Sequence, residues 1–323
     1  MRLLLAILAI LPMIRPDYLR PGDKVAIISP SYAITDSVAL RRGCDALRSW
    51  GLEPVMGKYV YLDPVKDSKG RSRNVYAGTL EQRLEDLKWA YEADSIKAIV
   101  CARGGYGGIQ LLPMLPLSTY SEHPKWLVGF SDITNFIAAS TMAGVMSIHG
   151  NMISSIGAEK VPDEYSIAMK DMLFGNVPGY GVEHNEHDVP GHATGVLVGG
   201  NMITYQALLG TRYDTTQLED VILFFEEVEE SMHAIDRILN AMMLQGRLGN
   251  VKGIIVGIMH KCGKELMTYE DVYDVLSQYT ADFGIPVCYG FPSGHGKVNM
   301  PLMMGAEVTL DVTEEGSTIK YNL

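Results

Sequence analysis

Residues 125–144 read KWLVGFSDITNFIAASTMAG. The first part, Trp126 to Phe130, is a short unbroken apolar run of the kind that forms a strand buried on both faces. The strand itself is expected to end at Gly129, and the segment after Ser131 reads as a helix. The same change from buried strand to helix recurs upstream. VAIISPS (25–31) leads to a helix over 36–50 closed by Gly51, and LEPVMGKYV (52–60) reads as a second strand. TLEQRLEDLKWAYEA (79–93) places Leu80, Leu84, Leu87 and Tyr91 at three- and four-residue steps, an amphipathic helix, and precedes the strand IKAIVCA (96–102). Alternation of this kind predicts an α/β fold with a parallel sheet covered on both faces.

Residues 156–194 carry Pro162, Pro178 and Pro190 and the charged stretch EHNEHD, and are expected to be a linker. Beyond it lie four strand-like runs, VILFFEE, GIIVGIM, IPVCYGF and AEVTLDV, with helices expected over 232–246 and 269–283. The predicted organisation is an N-terminal α/β domain over 17–155 and a C-terminal mixed α/β domain over 195–323. A site is expected at their junction.

The 323 residues hold 38 acidic and 27 basic side chains, a net charge of −11, with 47% hydrophobic residues. That excludes a disordered chain and argues against a partner gripped by its nucleic-acid backbone. Four cysteines lie far apart and read as separate thiols, mostly packed in the interior. Residues 3–14, LLLAILAILPMI, are apolar but too short to span a bilayer. They read as an export signal, as a membrane-contacting tail or as an extension from an upstream start.

Ser131 lies where a strand turns into a helix. One reading is a nucleophile on a tight turn, its hydroxyl facing the free amides of the helix start. The other is an ordinary helix N-cap. A serine needs a base and an orienting acid. His295, in the small-residue turn Phe291-Pro-Ser-Gly294-His295-Gly296, is the candidate base; an exposed loop histidine is the alternative. Glu226, at the carboxyl end of VILFFEE, is the candidate acid, with Glu227 weakly disfavoured by strand alternation. The turn Arg103-Gly-Gly-Tyr-Gly-Gly108 follows a strand, and the Gly105 and Asp132 amides are candidate oxyanion donors. Arg103 is a candidate for binding a substrate carboxylate. His184, His187 and His192 fit no familiar zinc spacing, and no metal is expected.

Together these motifs resemble the LD-carboxypeptidase family, the S66 serine peptidases that include microcin C immunity peptidases. The landmarks, in order, are Ser29-Pro-Ser31, Ala102-Arg-Gly-Gly-Tyr-Gly107, Gly129-Phe-Ser131-Asp132, His149-Gly-Asn151, Gly199-Gly-Asn201, the strand carrying Glu226, and Gly294-His295-Gly296 with Asn299. The resemblance implies a triad of Ser131, Glu226 and His295 acting without cofactor. It implies a murein tetrapeptide substrate that loses its terminal D-alanine, and a cytoplasmic homodimer serving cell-wall recycling. The apolar N-terminus departs from that pattern and keeps export to the periplasm open. Two other functions remain: an immunity-type peptidase acting on an aminoacyl-nucleotide, and a two-domain binding protein without catalysis.

Overall fold

The computed structural model describes residues 13–61, 66–71, 75–263 and 269–323. The apolar run over 3–14 therefore lies outside the described residues except for Met13 and Ile14. Among the described residues no helix is long and apolar enough to cross a membrane.

The first half contributes β1 (Lys24–Ile28), β2 (Glu53–Met56), β3 (Ile96–Cys101), β4 (Trp126–Gly129) and β5 (Ser147–His149). They pair in parallel in the order β5-β4-β3-β1-β2. Residues of β1, β3 and β4 are almost wholly buried, which explains their unbroken apolar sequence. The expected helices are present: Ser37–Ser49 is capped by Asp36, and Leu80–Glu92 by Thr79 and Gln82 in a reciprocal capping box. Strand order reverses between β1 and β3, and the loops after them lie side by side at the strands' carboxyl ends, where parallel sheets gather ligands.

The second half contributes β6 (Tyr180–Glu183), β7 (Gly191–Asn201), β8 (Val221–Val228), β9 (Val251–His260) and β10 (Val287–Tyr289). β11 (Leu302–Met304), β12 (Glu307–Thr313) and β13 (Gly316–Tyr321) follow. The second sheet runs β10-β9-β8-β7-β12-β13-β6, parallel through its first four strands and antiparallel beyond. β11 does not join it. That strand crosses back and adds antiparallel to β5, at the edge of the first sheet.

The segment expected as a linker is structured. Its helix Glu164–Leu173 buries Met169, Met172 and Leu173 in the core beneath the first sheet, while β6 forms the outer edge of the second. The chain thus crosses between the sheets three times, after β5, β10 and β11. These crossings frame the seam where the carboxyl ends of both parallel arrays meet.

Candidate active site

Ser131 stands at the end of β4 with φ 62°, one of four non-glycine residues with positive φ among the described residues. A left-handed serine costs about 1–3 kcal/mol and persists only where its surroundings impose it. An N-cap residue has extended backbone and a side chain bonded to the next amides. Ser131 does neither: it opens a 3₁₀ turn, Ser131–Ile133, that has no side-chain cap and feeds the helix Thr134–Met142. The geometry therefore matches the strained turn rather than the cap.

The glycine-rich turn after β3 packs directly on this serine. A Cβ at Gly104 would stand 3.1 Å from Ser131 Cβ and 3.2 Å from its Oγ. Gly105 follows in left-handed conformation, φ 117°, with the Tyr32 ring where a side chain would be. The amides of Gly105 and Asp132 donate to no acceptor among the described residues. The Arg103 guanidinium lies 5.8 Å from the centre of the Tyr32 ring.

On the second sheet, Glu226 Oε2 accepts from the backbone N–H of His295 at 3.1 Å and lies 2.7 Å from His295 Nδ1. Local irregularity makes this possible. The β8–β9 register shifts between Phe225 and Glu227, so β9 spends an extra residue opposite Glu226. The gap is taken by the loop after β10, whose Ser293 carbonyl accepts from Ile258 N–H at 2.9 Å. Gly294 lies against Glu226, where a Cβ would come within 2.8 Å of the Glu226 Cβ, so a larger residue could not bring the loop this close. Asn299 Oδ1 holds the loop from within, accepting from Ser293 Oγ and Gly294 N–H.

The two halves of the site meet at Phe130, the residue before Ser131, whose ring lies edge-on to His295 at 5.0 Å. No direct hydrogen bond joins Ser131 to the His295 ring among the described residues. Burial pulls the His295 imidazole down. Its bond to Glu226 and the charges of Glu226, Glu227 and Glu229 outweigh that, and its pKa is raised above the ordinary 6.5.

Some neighbours were not given a role by sequence reasoning. Glu227 is as buried as Glu226, because β8 is a central strand covered on both faces from Val221 onward. Its carboxyl accepts from Asn201 Nδ2, Val228 N–H and Ile203 N–H at 2.7–2.8 Å. Burial still lifts its pKa to about 7, against those three bonds. His149 lies between the Phe130 and Phe224 rings, and burial lowers its pKa to about 4, so it is neutral at pH 7. In sequence the HGN and GGN landmarks are motifs without an assigned role. They prove to be seam contacts: Asn299 Nδ2 donates to Asn151 Oδ1 at 3.1 Å, and Asn201 N–H to Thr134 Oγ1 at 3.0 Å.

The histidines of the former linker separate, His192 pairing with Asp311, His184 with Asp188 and His187 with Asp274. His187, Asp271 and Asp274 do bring ligand atoms within 4.8 Å of one another. Both aspartates are already engaged in capping the helix Val272–Thr280.

Fold and site together define a two-domain α/β protein with a serine on a strained strand-to-helix turn and a histidine–glutamate pair facing it across a seam. Residues 25–150 match the family model for the LD-carboxypeptidase N-terminal domain, and residues 194–310 that for the LD-carboxypeptidase C-terminal domain. A putative carboxypeptidase of Synechocystis is 34% identical over 92% of this chain and 94% of its own length. The murein tetrapeptide carboxypeptidase of Pseudomonas aeruginosa is 29% identical over 92% of this chain and 95% of its own. The crystal structure of an MccF-like protein from Bacillus anthracis is similar with a TM-score of 0.79 at 28% identity, covering 95% of this chain and 98% of that one. The chain belongs to the LD-carboxypeptidase family of S66 peptidases.

Proposed function

We propose that this protein is a serine carboxypeptidase that releases the terminal D-alanine of murein tetrapeptides, with Ser131, His295 and Glu226 as its triad. The observation that carries the reading is Ser131 itself, left-handed at φ 62° between β4 and its helix and packed against Gly104. Strain of that kind is retained where it presents a reactive group. In the reaction, Ser131 Oγ attacks the carbonyl joining the third residue's L-centre to D-alanine. His295 Nε2 takes the serine proton and passes it to the departing amine, while Glu226 holds Nδ1–H and balances the imidazolium. The Gly105 and Asp132 amides receive the oxyanion. Water then attacks the acyl-enzyme with His295 as base, freeing the tripeptide and restoring the serine.

The substrate class rests on family membership and on the relative in Pseudomonas aeruginosa named for murein tetrapeptide. The family resemblance further supports a cytoplasmic homodimer. The family resemblance also implies a second substrate for the same triad, an aminoacyl-nucleotide, and the MccF-like neighbour supports that class no better than the murein reading. Purified protein incubated with a defined tetrapeptide should lose the mass of one D-alanine, and Ser131→Ala should release essentially none. Undiminished release by Ser131→Ala would remove the nucleophile. A tetrapeptide left intact beside a cleaved aminoacyl-sulfamoyl nucleotide would move the protein to the second substrate.

A further inference from the structure

The glycine-rich turn is gripped from two sides by opposite charges that the reaction does not use. Arg83, on the helix Leu80–Glu92, is only 2% exposed, and Asp132 only 4%. Arg83 Nη1 donates to the carbonyls of Pro30 at 2.8 Å and Gly107 at 3.1 Å, and Nη2 donates to Gln110 Oε1 at 2.8 Å. Asp132 Oδ2 accepts from Ser31 Oγ at 2.5 Å and from Gly108 N–H at 2.7 Å. Asn135 Nδ2 donates to Asp132 Oδ1 at 3.1 Å.

The same two loops are therefore each held twice. The loop after β1 is tied by a carbonyl to Arg83 and by a hydroxyl to Asp132. The turn after β3 is tied by a carbonyl to Arg83 and by an amide to Asp132. The glycines of the turn fall where the charges enter: a Cβ at Gly107 would meet Arg83 Nη1 at 2.9 Å, and one at Gly108 would meet Asp132 Oδ2 at 2.9 Å. A third link, Tyr32 N–H to the Gly104 carbonyl, joins the two loops beside Ser131. Burying two charges is expensive, and apolar packing would stabilise the fold as well or better. What the charges add is fixed geometry at a place where small displacements matter.

We propose that Arg83 and Asp132 form a buried clamp whose role is positional: it holds the glycine-rich turn so that the Gly105 amide is aimed at the oxyanion formed on Ser131. Both are positioning residues, acting through the backbone of the turn. The inference rests on Ser131 being the nucleophile, and the test keeps the two ideas apart.

The full-length protein and its Asp132→Asn, Ser31→Ala and doubly substituted forms would be titrated with a serine-directed fluorophosphonate probe, whose reaction needs the nucleophile and oxyanion donors but no murein peptide. D-alanine release would be measured in parallel, with melting temperature recorded for each. Asp132→Asn should label about tenfold slower or worse, given that loss of one oxyanion donor costs about 10²–10³-fold. Ser31→Ala should lose several-fold, and the double variant little more than Asp132→Asn alone, because the hydroxyl acts through the carboxylate. In peptide assays the loss should fall on kcat while KM stays nearly constant. Folded variants that label at the native rate, or that lose only KM, would overturn the clamp. If Asp132→Asn does not fold, Ser31→Ala decides by the same criteria. A native protein that the probe does not label would instead remove Ser131 as nucleophile, and the clamp's purpose with it.

Discussion

Replacing Glu226 by glutamine tests the His295–Glu226 pair at atomic detail. Both donors from His295, its backbone N–H and Nδ1–H, converge on the single oxygen Oε2. A glutamine whose carbonyl oxygen takes that position satisfies both and keeps the tautomer in which Nε2 can accept a proton. What it loses is the charge. A hydrogen bond to a charged group is worth about 1.5–3 kcal/mol and a neutral one about 0.5–1.5, so the imidazolium loses about 1–2 kcal/mol, roughly 5- to 30-fold in rate. That is far milder than His295→Ala, where a member of the proposed triad is removed and about 10³-fold or more should be lost. The pH profile gives the sharper reading. His295 must be unprotonated to accept the serine proton, so kcat/KM rises with pH through its pKa. With the glutamate gone, burial acts against only the residual pull of Glu227 and Glu229, so the pKa falls and the acid limb moves to lower pH. The assay is D-alanine release across pH 4.5–9. An acid limb that stays in place would refute the claim that Glu226 sets the charge of His295. A loss near 10⁴-fold would mean the amide group faces Nδ1 and inverts the tautomer.

Two further outcomes follow from contacts around the site. Gly104→Ala places a methyl 3.1–3.2 Å from Ser131 and should slow D-alanine release about tenfold with little change in melting temperature, since a displacement near 1 Å costs about 10²-fold; native kinetics would mean the turn yields freely. Glu227, with its folded pKa raised from 4.5 to about 7, contributes stability below pH 4.5 that is lost as pH climbs through 7. Glu227→Gln removes this titration, so native stability should decline relative to the variant between those values, by on the order of 3 kcal/mol in full. Parallel melting-temperature curves would mean that folding does not raise the pKa of this carboxyl.

The central strands were legible because each is a short apolar run closed by glycine or a polar turn, as in KWLVGF and IKAIVCA, and burial on both faces demands that composition. The fold class and the two-sheet division followed from it. What stayed hidden depends on partners distant in sequence. Leu302–Met304 is too short to announce a strand, and nothing local says that it returns to the first sheet. The segment 156–194 reads as polar and proline-rich, yet Met169, Met172 and Leu173 give its helix a buried face. At the site, small residues and strand ends marked Ser131, Glu226 and His295 as candidates. Alternation weakly disfavours Glu227, but it cannot rank two faces of a central strand that are both buried. In sequence Arg83 is one more charge on an amphipathic helix, and Asp132 is marked by its amide alone. Their side chains became informative only once tertiary contacts put them on either side of one turn.

The remaining question is how a serine on one sheet can be kept in register with a histidine on another. Reaction requires placement within about half an ångström, which two lobes joined by a loose linker would not maintain. The loop bearing His295 solves this by belonging to both. It leaves β10 in the second sheet and ends in β11, which is paired with β5 of the first. Between those anchors it is bonded to Glu226 on one side and, through Asn299, to Asn151 on the other. Opposite, the end of β7 is tied by Asn201 to Thr134, at the start of the helix that follows Ser131. A lobe displacement that separated Ser131 from His295 would have to break these ties together, including a three-residue strand pairing. These ties predict a seam that is fixed rather than hinged. Substrate entry on this architecture calls for motion of side chains and rim loops, with the two sheets moving as one body.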